Sequence, residues 1–361
     1  MENLQSSSEM KEAYSRYTFR KIIFILASLA AVILLFFVSL CIGTLDLSVV
    51  DVYDLFIKHV MGTTYEVDDP IWFKDHIVWE YRVPRALFAI IAGMSLSISG
   101  AVMQSVMKNP LADPYTTGVS SGAMFGIAVA LVLGFTVTDS TYGGFGVVFN
   151  GIMFGLIPIV LIVIMAPYFR KSPATLILAG VAVSYLFNSI TSILLVTTDA
   201  ATLSYVYTKQ IGSLTDIGWE TIPFTVISTA IGLSILLPLA GKLNLMSLDD
   251  KVAKSMGLDI ETLRLICLCL ISVMAAIVIS YVGIIGFVGL VIPHIVRLLL
   301  GSDNKYLIPA SATFGAVFLL GCDIISRSIN IDAVVPTGVV TSFIGAPLFM
   351  YLIIRNKRNI W

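Results

Sequence analysis

Residues 81–114 open with Tyr-Arg-Val-Pro-Arg, run on through apolar and small residues, and close with Met-Lys-Asn-Pro-Leu-Ala-Asp-Pro. About 20 apolar residues cross a hydrocarbon core of roughly 30 Å as a helix. This stretch therefore reads as a membrane helix, with two arginines at one mouth and a proline-broken polar turn at the other. The same grammar recurs along the chain. Candidate spans fall at 22–43, 86–107, 115–134, 147–168, 174–196, 221–240, 263–282, 284–300, 308–328 and 337–355. The apolar block 263–300 is divided at Tyr281–Gly286, so the tally is ten, or nine or eleven if that block divides differently. The first span is read as a retained helix and not a leader, because it is long and lacks a small-x-small cleavage pattern.

Composition agrees. The chain is 57% hydrophobic and 12% charged, with a mean hydropathy of +0.94, whereas soluble domains carry about 25% charged residues. Its net charge of −1 excludes the basic face that a nucleic-acid partner needs. With both termini inside, sixteen of the 22 lysines and arginines fall on the inner side, the bias expected of cytoplasmic loops. The expected organisation is an all-α membrane protein: a cytoplasmic tail at 1–21, a ten-span unit at 22–355 with a long inner loop at 241–262, and a second cytoplasmic tail at 356–361. Small residues line the second and third spans, among them Gly93, Ser97, Gly100, Gly118, Gly122 and Gly126. They suit close helix packing where lipid gives no hydrophobic drive.

Catalytic chemistry is hard to find. There is no phosphate-binding loop of the G-x-x-x-x-G-K-[ST] kind, no H-E-x-x-H and no C-x-x-C. The four cysteines all lie in apolar runs and read as small buried hydrophobes. Asp323 is the only acid well inside a span, which is thin support for an ion relay; it is expected to pair with an arginine or cap a helix. In the inner loop, Leu248, Asp249 and Asp250 open like a helix N-terminus. Val252, Ala253 and Met256 follow at one-turn spacing, and Gly257 suits a helix stop. Two short helices broken at Gly257 would offer an amphipathic docking knob. Pro293 is expected to interrupt the ladder of its helix, with His294 and Arg297 near the inner water interface and the histidine acting as a hydrogen-bonder.

Taken together, the chain resembles the FecCD family, permease subunits of ABC importers for iron chelates, haem and vitamin B12. The resemblance rests on Arg82-Val83-Pro84-Arg85, Ser99-Gly100-x-x-x-Gln104, Asn109-Pro110-Leu111-Ala112-Asp113-Pro114 with Gly118-Val119-Ser120-x-Gly122-Ala123, and Leu178-Ala179-Gly180. It continues through Gly286-Phe287-x-Gly289-Leu290-x-x-Pro293-His294-x-x-Arg297, Asp323-x-x-x-Arg327, Pro336-x-Gly338 and Gly345-x-Pro347. These run in family order over about residues 80–350.

The resemblance implies a type II importer permease bundle in the cytoplasmic membrane, paired with a second copy or a paralogue. It implies two ABC ATPase subunits docked on the inner loop, through Leu248, Asp249, Asp250, Ala253, Met256 and Gly257. It implies an extracytoplasmic binding protein held by Arg82, Arg85 and Arg327, whose counterparts in the vitamin B12 importer permease pair with acids on that partner. The chain itself would bind no cofactor, since ATP and magnesium belong to the ATPase. Gln104 and Asn109 are expected along the pathway, and Pro173, Ala174 and Thr175 at an inner gate. The cargo would be a metal chelate, a ferric siderophore by prevalence, with haem and cobalamin as alternatives. A gradient-driven secondary transporter is the reading from another class. Two departures stand out. Asp303-Asn304-Lys305 replaces the usual Asp-His-Arg, and Val335 stands where the family often has Glu, which leaves the partner of Arg327 open. The acidic outer loop at 66–80 is not explained by the family pattern.

Overall fold

The computed structural model describes residues 2–43, 45, 47–67, 69–138, 142, 144–165, 173–248, 250–329 and 335–355, with backbone alone at 2–14, 173–174 and 355. Its elements are helices and the loops that join them. They are α1 (Glu2–Cys41), α2 (Val49–Val60), α3 (Trp72–His76), a π-helical turn (Ile77–Arg82), α4 (Val83–Met107), α5 (Val119–Leu133), α6 (Phe145–Met165), α7 (Pro173–Val196), α8 (Ala200–Ile211), α9 (Ile222–Leu236), α10 (Ala240–Met246), α11 (Asp250–Ser255), α12 (Ile260–Val282), α13 (Val288–Leu300), α14 (Asn304–Ser328) and α15 (Thr337–Arg355).

Each of the ten expected apolar runs holds a helix. Among the described residues, eight are long and apolar enough to cross a membrane. The third and eighth runs, α5 and α13, are shorter, at 15 and 13 residues. Helix ends follow local chemistry. Asp199, Asp259 and Asp303 accept backbone N–H bonds at the starts of α8, α12 and α14, the role of an N-cap carboxylate. The apolar block 263–300 breaks between Gly283 (φ +79) and Phe287 (φ +69), where the left-handed backbone stops α12 and re-aims the chain into α13. Pro293 interrupts the ladder as expected, having no N–H for the Gly289 carbonyl, yet α13 runs on through it to Leu300. In the same turn the Gln104 amide donates to the Leu290 carbonyl at 3.0 Å, which ties α13 to α4.

Helix α4 forms the centre of the bundle, packed against α9, α12, α13 and α14. The approach is close because glycines face one another. A Cβ on Gly100 would stand 1.8 Å from the Gly289 carbonyl oxygen of α13, and one on Gly93 would stand 2.4 Å from that of Gly315 on α14. The π-helical turn joins α3 to α4, making one helical run from Trp72 to Met107. At 36 residues it is roughly 54 Å long at 1.5 Å per residue. It therefore carries Trp72–Arg82 beyond the bundle, where α2 packs beside it.

Candidate functional site

Two polar clusters mark opposite ends of α4, and an open cavity lies to one side of the bundle. At the α4 N-terminus stand Arg82, Arg85 and Arg327. The Arg85 Nε donates to Asp323 Oδ1 at 2.9 Å, and its Nη2 lies 2.8 Å from the same oxygen. Arg327 Nη2 lies 2.9 Å from Asp323 Oδ2. The carboxylate is fully buried and neutralised from both sides, as a charge in low dielectric must be. Asp323 thus pairs with arginine as expected, and Arg327 gains the partner that the sequence left open.

The arginines also finish α1. Arg327 donates to the Ser39 carbonyl at 3.0 Å, to the Ile42 carbonyl at 2.5 Å and to the Ser39 hydroxyl at 2.5 Å. Arg82 donates to the carbonyls of Leu40 at 2.8 Å and Leu45 at 2.6 Å. The last carbonyls of a helix have no partners inside it, and cations are favoured there. Arg82, Arg85 and Arg327 are 4%, 8% and 6% exposed, so they do not stand out from the surface. They line a cavity of about 410 Å³ that also takes in Gly43, Leu45, Phe73, His76, Tyr81 and Thr215. A partner reaches them only by inserting a group into that cavity.

At the other end, Lys108 occupies the left-handed C-cap of α4 (φ 49). Its Nζ donates to the Leu248 carbonyl at 2.5 Å and to Asp250 Oδ1 at 2.6 Å. The lysine holds the Asp250 carboxyl below its ordinary range, with help from Arg264 and Lys254. So α11 is moored to α4. Ala253 of α11 is fully buried, while Val252 on α11 and Leu248 and Met256 on either side of it are 48%, 43% and 59% exposed. Gly257 (φ +83) ends the turn after α11. The element beyond it is not a second short helix: Asp259 caps Thr262 N–H at 3.2 Å and α12 starts at once. The two short helices are α10 and α11. Asp249 lies outside the described residues.

A clasp at this end had no sequence signal. Asn244 on α10 donates to Asp303 Oδ1 at 2.7 Å and accepts from the backbone N–H and side-chain amide of Asn304 at 2.8 and 2.9 Å. Asn304 in turn accepts from Ser105 at 2.8 Å. His294 and Arg297 are buried, not at a water interface. The His294 ring stands edge-on to Phe349, and neither ring nitrogen has a hydrogen-bond partner among the described residues.

The open cavity, about 660 Å³, is lined by residues of α8 (Gln210, Ile211), the α12–α13 break (Ile284, Gly286) and α15, including Ser342, Phe343 and Pro347. No lining residue is charged. Gln104 and Asn109 are not among them. Gln104 is fully buried on the Leu290 carbonyl, and Asn109 accepts from the Leu111 N–H at 2.9 Å in a local turn. Thr175 lies in the first turns of α7, half-buried; the side chains of Pro173 and Ala174 lie outside the described residues.

The sequence pattern of the FecCD transport family matches residues 31–355. The molybdate import system permease protein of Haemophilus influenzae is 34% identical over 324 residues, covering 89% of this chain and 92% of that protein. The iron(3+)-hydroxamate import system permease protein of Bacillus subtilis is 31% identical over 374 residues, covering 99% and 89%. The hemin transport system permease protein of Yersinia pestis is 34% identical over 298 residues, covering 81% and 86%. A solved structure assigned to the metal-chelate type of ABC transporter, in an inward-facing conformation, superposes with a TM-score of 0.79 at 32% identity, covering 92% of this chain and 98% of the other.

Proposed function

We propose a role in import from a fixed premise: this chain belongs to the FecCD transport family, the permeases of ABC importers, and is a multi-pass membrane protein. The chain supplies the passage and no catalysis of its own, and ATP and magnesium stay on partner ATPases. The observation that carries the reading is the moored helix α11. Its exposed Val252, with exposed Leu248 and Met256 on either side of the helix, offers a partner an apolar surface. Its anchor, Lys108, sits on the end of the central helix. A push on α11 therefore reaches α4 as a rigid-body displacement.

In this reading the α11 end, both termini and the tails at 1–21 and 356–361 are cytoplasmic, and residues 22–355 form the permease unit. Two ATPase subunits dock over Leu248–Gly257. An extracytoplasmic binding protein docks at the arginine end, placing acidic side chains in the cavity above Arg82, Arg85 and Arg327. A second copy or a paralogue closes the open cavity beside α15 into a passage. Pro173–Thr175 serves as the inner gate. An uncharged, wide lining suits a bulky cargo held weakly, with affinity supplied by the binding protein.

The cargo is a ferric siderophore. The hydroxamate permease of Bacillus subtilis, similar over 99% of this chain, supports it. The hemin permease of Yersinia pestis, at 34% identity, favours haem as the second reading. The test is uptake of labelled ferric siderophores, haem, cobalamin and molybdate by cells with and without the gene. Loss of one ferric siderophore alone is the expected result. Loss of haem or molybdate uptake instead would overturn the cargo and keep the mechanism.

A further inference from the structure

Beside the arginine cavity lies a second, smaller one of about 200 Å³, lined by His59, Thr64, Tyr65, Trp72, Asp75, His76, Trp79 and Glu80. His76 lines both, so the two open on the same end of the molecule. Their chemistry is opposite. The first holds three arginines; the second holds two carboxylates, three large aromatic rings, and no lysine or arginine.

The aromatic walls are built in advance. Trp79 stacks on His59 with ring centroids 4.1 Å apart and packs on Trp219 at 5.0 Å. The Trp219 indole donates to the Trp79 carbonyl at 2.9 Å. Trp72 stacks on His76 at 4.9 Å. Trp79 is thus covered by other rings, whereas Trp72 carries a ring on one side only, and an uncovered indole face attracts a cation through the ring quadrupole. The carboxylates divide the work. Both Asp75 oxygens face His59 Nδ1, at 2.9 and 3.1 Å, which pins His59 against Trp79. Glu80 makes no ion pair among the described residues. The surrounding surface adds acid: Asp51, Asp54, Glu66 and Asp69 outnumber Lys58 and Lys74, and Lys58 is already paired with Asp54 at 2.7 Å.

We propose that this cavity is a docking socket for a lysine side chain of the extracytoplasmic binding protein, a counterpart of opposite charge to the arginine cavity beside it. The inference rests on the importer reading. A lysine fits better than an arginine. A planar guanidinium needs more room than a compact ammonium, and the cavity is only about 200 Å³. A compact ammonium on a long stem needs only the open face of Trp72 and the Glu80 carboxylate. Two neighbouring sockets of opposite sign also fix the orientation of a partner and reject the reversed one.

The test measures affinity of the binding protein for the assembled importer in nanodiscs, with Glu80→Gln, Trp72→Ala and Leu45→Trp variants; the last fills the arginine cavity. Each binding protein is used native and with its lysines acetylated. Glu80→Gln should weaken binding about tenfold. Acetylation should weaken binding to the wild-type importer by a similar factor and cost little further on Glu80→Gln. Full additivity of acetylation and Glu80→Gln, or wild-type affinity in both Glu80→Gln and Trp72→Ala, overturns the socket. If Leu45→Trp still abolishes binding in that case, docking at this end stands without the socket. If Leu45→Trp is silent as well, the docking reading fails with it.

Discussion

Asp323 is the residue on which the arginine end depends. It neutralises Arg85 and Arg327 together, and Arg327 in turn ties down the end of α1. Asp323→Leu strands two buried guanidiniums and should cost about 3–5 kcal/mol, the range for breaking a buried ion pair. Replacing the whole triad, with Arg85→Met and Arg327→Met added, should recover part of that loss in thermal unfolding of the detergent-solubilised chain. Recovery stays incomplete because the Ser39 and Ile42 carbonyls lose their donor. A triple variant as unstable as the single one would contradict this account. An arginine partner for Asp323 was expected from sequence, but the partner of Arg327 was left open there, although residues four apart share a helix face and the two pair at 2.9 Å. The role of Arg82 was not. Its acceptors are backbone carbonyls of Leu40 and Leu45, and a carbonyl leaves no mark in the sequence.

At the scale of elements, α4 and α11 carry the proposed mechanism, and each has a sharp test. Gly100 leaves no room for a side chain, because backbone of α13 fills the space. Gly100→Val should abolish the folded product, whereas Gly241→Ala, where nothing lies within 4 Å, should be tolerated; size-exclusion profiles after extraction decide. The mooring of α11 can be released by charge. Asp250 has a folded pKa below its unfolded value, held down chiefly by Lys108. Its contribution is therefore present above about pH 3.9 and is lost only as pH falls through the lower folded value. Amide exchange across residues 250–255, corrected for intrinsic rates, should stay protected from pH 8 to 5. It should rise in Asp250→Asn even at pH 7. Apolar runs and caps made these helices readable from sequence. The break between α12 and α13 was legible from Gly283 and Gly286, but the helix running on through Pro293 to Leu300 was not, since packing on α4 decides it and not the local run.

For the whole molecule, the sequence motifs foretold the family and the two polar ends. They did not foretell which surfaces stay open. Arginines expected on the outer side lie in a cavity floor, and Gln104 packs inside the bundle, away from the open cavity. Burial of that kind depends on how helices α1, α13 and α14 close around α4, which no single run of residues encodes. The central claim is that the passage is opened by ATP on partner subunits and not by an ion gradient. The direct measurement is accumulation of a labelled ferric siderophore in proteoliposomes holding this chain with its ATPase and its binding protein. Accumulation that requires ATP on the ATPase side, and that survives collapse of the proton and sodium gradients, is the predicted result. Uptake driven by a gradient with no ATP present would contradict it.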